Sequence, residues 1–185
     1  MQSHPTPEEI IAHANEMRGI ADTAALISTW AAYYSPPKRR MDLIAAIEEK
    51  PDPHYDYYTG PTTRALRLGV PMLQQAVAFS EMAAIGFAYQ HAKKFCDLFA
   101  LRDQLHKLAW ADLAFIVRGC FFHDMLVKFP IRRGKPLEIV RWNDVELRRS
   151  DHENKALSRE HHLTGRKVHE LLDAMVQSAL AGYQR

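Results

Sequence analysis

At 185 residues, with 47% hydrophobic and 25% charged, the chain has the balance of an ordinary globular protein with room for one sizeable core, which excludes a disordered tail or a fibre. The 24 Lys+Arg against 22 Asp+Glu leave a formal charge of +2, too small by itself to announce a nucleic-acid binder, so any basic surface must be local. The two cysteines, Cys96 and Cys120, sit in apolar segments without metal-ligand spacing and read as reduced core residues, which suits the cytoplasm.

Thr6-Pro7-Glu8-Glu9 is a helix start, with a capping hydroxyl, proline in the first turn and carboxylates against the positive end of the helix dipole. The stretch before it, Met1 to Glu9, has neither the basic region nor the apolar core of a leader peptide, and no window holds about eighteen uninterrupted apolar residues, so secretion and membrane spanning are not expected. Gly19 is expected to interrupt the first helix. A second, through Ala24, Ile27, Trp30 and Ala31, should stop before Ser35-Pro36-Pro37. A short helix from Arg40 to Glu49 follows, then an aromatic loop from Pro51 to Pro61 that holds His54, Tyr55, Tyr57 and Tyr58.

Thr63 to Phe99 reads as one long helix that Pro71 should kink or divide. The next, about Leu101 to Phe122, carries Leu105, Leu108, Leu113, Ile116, Val117 and Cys120 at three-and-four spacing. Its opposite flank, Ala111, Ala114 and Phe115, is also apolar, as at a subunit interface, and Arg118 emerges from that flank. Arg133-Gly134-Lys135-Pro136 predicts a turn, and Leu137 to Trp142 with Val145 to Arg148 predict a small β-hairpin around Asn143-Asp144. The chain closes with a helix whose apolar stripe is Val168, Leu171, Leu172, Met175, Val176, Ala179 and Leu180.

The chemistry-bearing segment is Arg118-Gly119-Cys120-Phe121-Phe122-His123, an arginine and a histidine five positions apart at the end of an apolar helix. Histidine exchanges protons near neutral pH, and arginine offers a permanently charged, bidentate fork to a phosphate gaining negative charge. This Arg-x4-His, following Leu113 to Val117 and preceding Asp124, resembles the signature of the HEPN superfamily, which includes ribonucleases of toxin–antitoxin, abortive-infection and CRISPR systems. The resemblance covers roughly residues 63–183 and leaves 1–50 as an N-terminal helical extension of a single, all-α, HEPN-like domain with a β-hairpin before the last helix.

The resemblance implies RNA cleavage without a catalytic metal or other cofactor, the 2′-hydroxyl attacking the neighbouring phosphate and leaving a cyclic phosphate end. His123 would be the acid or base and Arg118 the electrostatic clamp. It also implies a homodimer, because five residues on a helix separate two side chains by about 140° and two chains can bring both motifs into one cleft. A cognate antitoxin or nucleotidyltransferase partner is implied as well, in prokaryotic defence or growth control. The position after the motif arginine is usually polar in active members and is Gly119 here, so Asp124 or Glu81 is the candidate to supply the missing polar group. The same glycine keeps open a non-catalytic HEPN module that binds RNA, a nucleotide or a partner protein, and an antitoxin or phage-type regulator in which Arg118 and His123 are structural.

Arg132, Arg133, Lys135, Arg141, Arg148 and Arg149 form either an RNA-tracking surface, with Trp142 as stacking partner, or an ordinary charged hairpin. Tyr55, Tyr57 and Tyr58 either stack bases or pack their own loop. His152, His161, His162 and His169 could suggest a metal, since His162 and His169 are two helical turns apart, but without an accompanying cysteine they read as a solvated helix start and no metal is assigned to them.

Overall fold

The computed structural model describes residues 4–49, 63–64, 66–122, 126–157 and 162–182. The protein is predominantly helical, with a small hairpin before the last helix. The elements are α1 (Pro7–Tyr34), α2 (Pro37–Glu49), α3 (Val70–Leu98), α4 (Arg102–Leu105), α5 (Ala111–Phe122), β1 (Ile131–Arg132), β2 (Lys135–Pro136), β3 (Ile139–Trp142), β4 (Val145–Arg148), α6 (Arg149–His152) and α7 (Gly165–Leu180). They group into two compact units, Ala24–Ser80 and the pair Met1–Thr23 with Glu81–Arg185. The division falls within α1 and α3 instead of in the Pro51–Pro61 loop. That loop, with its tyrosines, lies outside the described residues.

The start of α1 is a capping box: Thr6 N donates to Glu9 Oε2 (2.7 Å) and Glu9 N donates to Thr6 Oγ1 (3.3 Å). Gly19 does not interrupt this helix. A helix glycine costs about 1 kcal/mol, and burying Met17 and Ala24 on either side of it outweighs that. The break expected at Pro71 falls at Gly69, whose φ of +80° no helix accommodates. Pro71 then lies in the first turn of α3, where its missing N–H has no helical partner to lose. In the unit Ala24–Ser80 the core is Ala31, Ile44, Leu66 and Leu73, flanked by Leu43, Ile47 and Val77.

The larger unit is built on α3, α5 and α7. Ile85, Ala88, Ala92 and Cys96 of α3, Leu113, Ile116, Val117 and Cys120 of α5, and Leu171, Leu172 and Met175 of α7 are all buried. Neither cysteine is in a disulfide, and burial pushes the Cys96 thiol up to about 12, which makes it inert as a nucleophile. The helix expected over Leu101 to Phe122 is two helices, because the chain turns between them to bury Trp110, whose indole Nε1 donates to Ser178 Oγ at 2.9 Å. The second flank of α5 is covered by the chain itself: Ala111 and Ala114 are buried, and Phe115 meets Tyr89 edge-on with centroids 6.1 Å apart. It is therefore not the open interface its composition suggested.

Two hairpins follow α5. Arg133 (φ 51°) and Gly134 (φ 76°) make the two-residue turn between β1 and β2, and Asn143 (φ 50°) opens the turn that pairs Trp142 with Val145. Val140, Trp142, Val145 and Leu147 form the buried face of the second hairpin, whose β3 packs against α5. No helix among the described residues is long and apolar enough to cross a membrane.

The first half of α1 docks on α3 through an imidazole stack. His13, 3% exposed, lies over Phe95 (centroids 4.1 Å, planes 8° apart) and against His91 (4.7 Å, 24°), whose Nε2 is 3.0 Å from Glu16 Oε2. Burial, and secondarily the charge of His91, lowers the His13 pKa from 6.5 to about 4. Between those values the unfolded chain holds a proton that the folded chain refuses, so the contribution is complete above pH 6.5 and is lost as pH falls toward 4. Thermal melts at pH 7.5 and 5 should show the wild type losing more stability than His13→Phe, which keeps the stack without the titration. Parallel losses in the two proteins would refute this.

Candidate functional site

Arg118 stands one turn before the end of α5, half-buried, and α3 runs antiparallel beside it. The antiparallel sense follows from two contacts. Gln90 faces Arg118, and four residues earlier on α3 Gly86 meets Phe122, four residues later on α5. With the Gln90 amide turned so that its oxygen faces the guanidinium, it accepts from Arg118 Nε (2.9 Å) and Nη2 (2.5 Å). The guanidinium carbon also lies 5.7 Å from the Phe122 ring centroid.

Arg118 is part of a cationic neighbourhood. The Tyr89 hydroxyl of α3 is raised in pKa by burial first, with Arg132 lowering it, Asp112 raising it, and Arg118 and Arg102 lowering it by less. Arg132 is itself paired with Asp112. His106 is held toward its neutral form by burial first, then by Arg132. Its Nδ1 is buried and has no hydrogen-bond partner among the described residues.

From Gln90 an open groove of about 410 Å³ continues along Lys93, Lys94, Asp97 and Leu98. Asp97 accepts from Arg102 Nε (2.7 Å) and lies 3.5 Å from Lys93 Nζ, so three cations and one carboxylate line or border it. Such a lining suits a polyanion tracked by its charges.

Of the other residues singled out in the sequence, His123 and Asp124 lie outside the described residues. Glu81 is 2% exposed and faces α7, with Oε1 3.6 Å from His169 Nε2. It is nine residues from Gln90, roughly 13 Å along the helix axis, and so does not belong to the turn of α3 that meets Arg118. Trp142 is 5% exposed, which removes it as a stacking platform. Arg141 pairs with Glu146 at 2.6 Å, while Arg133 and Lys135 are exposed at the β1–β2 turn. Arg132 alone of this set joins the neighbourhood of Arg118. Gln90, Tyr89, Lys93, Lys94 and Arg102 were not foreseen, although 90, 93, 94 and 97 form a polar stripe at helical spacing.

The two helix glycines of the site differ in what surrounds them. A Cβ on Gly119 would meet nothing within 4 Å, so Gly119→Ala should stabilise by about 0.5–1 kcal/mol through helix propensity. A Cβ on Gly86 would stand 2.7 Å from Phe122 Cε2 and push that ring off its edge contact with Phe87. There the lost aromatic contact, about 0.5–1.5 kcal/mol, offsets the propensity gain, and Gly86→Ala should be near neutral. Urea melts of both variants check the pair, and a destabilised Gly119→Ala would contradict the open space.

Comparison with protein-family models, with curated proteins and with solved structures finds no match to this chain.

Proposed function

We propose that the chain is a metal-independent endoribonuclease of HEPN type, acting on RNA as a homodimer in prokaryotic defence or toxin–antitoxin growth control. The observation that carries this reading is the guanidinium of Arg118, oriented by Gln90 at the head of a groove bordered by Lys93, Lys94 and Arg102. A phosphate seated there would meet a pre-oriented fork, and the groove would take the neighbouring phosphates of a single strand. In the proposed reaction the 2′-hydroxyl attacks the adjacent phosphorus and loses its proton to a base. The bond to the 5′-oxygen breaks, that oxygen takes a proton, and a cyclic phosphate end remains. His123 is the proposed proton carrier, and Arg118 stabilises the charge that grows on the phosphoryl oxygens. A second copy would bring the second motif. Phe87 and Phe122, exposed by 54% and 39% and in edge contact at 5.5 Å, give that copy an apolar footing beside Arg118.

Gly119 supports a second reading, an RNA-binding module of the same fold that does not cut, since the motif lacks a polar side chain next to its arginine. One experiment separates the two. Purified protein is incubated with total RNA in excess chelator beside its His123→Ala variant, with folding and dimer mass measured in parallel. Cleavage by wild type alone is expected. No cleavage, with RNA binding equal in both proteins, would replace the nuclease by the binding module.

A further inference from the structure

We propose that His152 and His162 form a binding site for a divalent transition-metal ion of the zinc type, independent of the ribonuclease reading. His152 is the last residue of α6, and His162 precedes α7 by three positions. Ten residues apart in sequence, their Nε2 atoms stand 3.0 Å apart, with ring centroids at 4.7 Å and planes at 85°. Two imidazoles in a straight N–H···N hydrogen bond of that length would hold their centroids roughly 5.3 Å apart. The shorter separation means that the ring axes are bent away from the N···N line. Bent to the same side by equal angles, two such axes converge roughly 2.0 Å beyond each nitrogen, the length of a Zn–N bond.

The surroundings are those of a ligand pair. His152 Nδ1 lies 2.9 Å from the Arg148 carbonyl oxygen and 3.1 Å from the Arg148 amide nitrogen. Nδ1 accepts from that amide when Nε2 carries the ring proton; in the metal-bound tautomer it donates to the carbonyl instead and Nε2 keeps its lone pair, the backbone support that metal-binding histidines ordinarily have. The turn that carries His152 is pinned: Asn154 N donates to the Val127 carbonyl and Val127 N to the Lys155 carbonyl, each at 2.9 Å. His162 is held by the next residue, Leu163, which is fully buried. The two arginines before His152 are already compensated. Arg148 pairs with Glu146 at 2.6 Å, and Arg149 with Glu153 at 2.5 Å and Glu138 at 3.2 Å.

Imidazole nitrogen selects zinc, copper or nickel over magnesium and calcium, and zinc is the ion we assign. The described residues hold no group of three or more His, Cys, Asp or Glu side chains placed to share an ion, and for a pair of imidazoles micromolar affinity is expected. Such an ion would tie the end of α6 to the entry of α7, whereas the two-turn spacing of His162 and His169 brings no pair together, since His169 faces Glu81.

The test uses the intact protein stripped with chelator and then dialysed. Calorimetric titration with zinc chloride should show one ion per chain, with affinity lowered about tenfold or more in His152→Ala and in His162→Ala and unchanged in His169→Ala. Should an alanine variant fail to fold, His152→Asn and His162→Gln replace it. The electron paramagnetic resonance spectrum of the wild type with one equivalent of Cu²⁺ should show two coordinated imidazole nitrogens and needs no variant. Absence of uptake, uptake unchanged in both variants, or fewer than two imidazole nitrogens in the copper spectrum would each overturn the site. The first outcome would leave the two rings sharing a proton.

Discussion

Replacing Arg118 by lysine is expected to lower RNA cleavage by about 10²–10³-fold, nearly as much as replacing it by alanine, while leaving the melting temperature within a few degrees of wild type. The reason is geometric. Gln90 accepts from both Nε and Nη2 of Arg118, so the guanidinium is held in one plane and presents a fork at a set angle. A lysine keeps the charge but is a single point on a flexible stem, and it cannot serve the amide and a phosphate together. Gln90 is a positioning residue in this scheme. Gln90→Ala should reduce kcat about tenfold with KM little changed, because the fork remains and only its orientation is lost. Gln90→Glu, which restores an acceptor opposite the guanidinium, should recover most of that loss. Full activity in Arg118→Lys would sink the fork argument, and a fall in Gln90→Ala that tracks lost stability would reduce Gln90 to a packing residue. Melting curves taken on the same preparations separate these cases.

Periodicity carried most of the fold. The stripe from Val168 to Ala179 is buried in α7 as its spacing required, and Asn143-Asp144 sits in a hairpin turn because asparagine tolerates φ of 50°. Gly19 misled because a single glycine is a local cost of about 1 kcal/mol, and only the tertiary packing of Met17 and Ala24 shows that it is overcome. The helix division after Leu105 was hidden for a related reason. Leu105 and Leu108 continue a perfect stripe, yet the chain turns to bury Trp110 against a helix some seventy residues away.

The candidate site was legible by halves. Arg118 stood out because a cation at the end of an apolar helix needs a reason. Gln90 did not, because a neutral amide on a long helix is ordinary until its partner is known. Trp142 illustrates the converse error: an aromatic among arginines looks like a stacking surface, but strand alternation places it on the same side as Val140, facing inward. The meeting of His152 with His162 was beyond sequence reasoning, since a separation of ten with a helix end between them matches no regular period.

Trp110→Ala should cost about 3–5 kcal/mol, the largest loss of stability expected from a single substitution near the site, and lower the melting temperature by roughly 6–20 °C. The indole is buried at the entry to α5, and its Nε1 donates to Ser178 of α7, whose hydroxyl donates in turn to the Ala174 carbonyl at 2.9 Å. The Ser178 oxygen is thus donor and acceptor at once, and its bond from the indole ties the entry of α5, which carries Arg118, to the terminal helix. Trp110→Phe keeps most of the volume and should cost about 1–2 kcal/mol. Ser178→Ala leaves the indole N–H buried and unpaired and should cost about 1–3 kcal/mol. The double variant should then fall short of additivity by about 1 kcal/mol, because neither change can remove the same hydrogen bond twice. A cost below about 1 kcal/mol for Trp110→Ala would mean that α5 is held by other contacts. Catalysis supplies the second reading of the same proteins: Trp110→Phe, folded with α5 still docked, should cleave RNA at close to the wild-type rate. If it is folded but inactive, the Trp110–Ser178 contact does more than anchor, and it then sets the angle at which α5 presents Arg118.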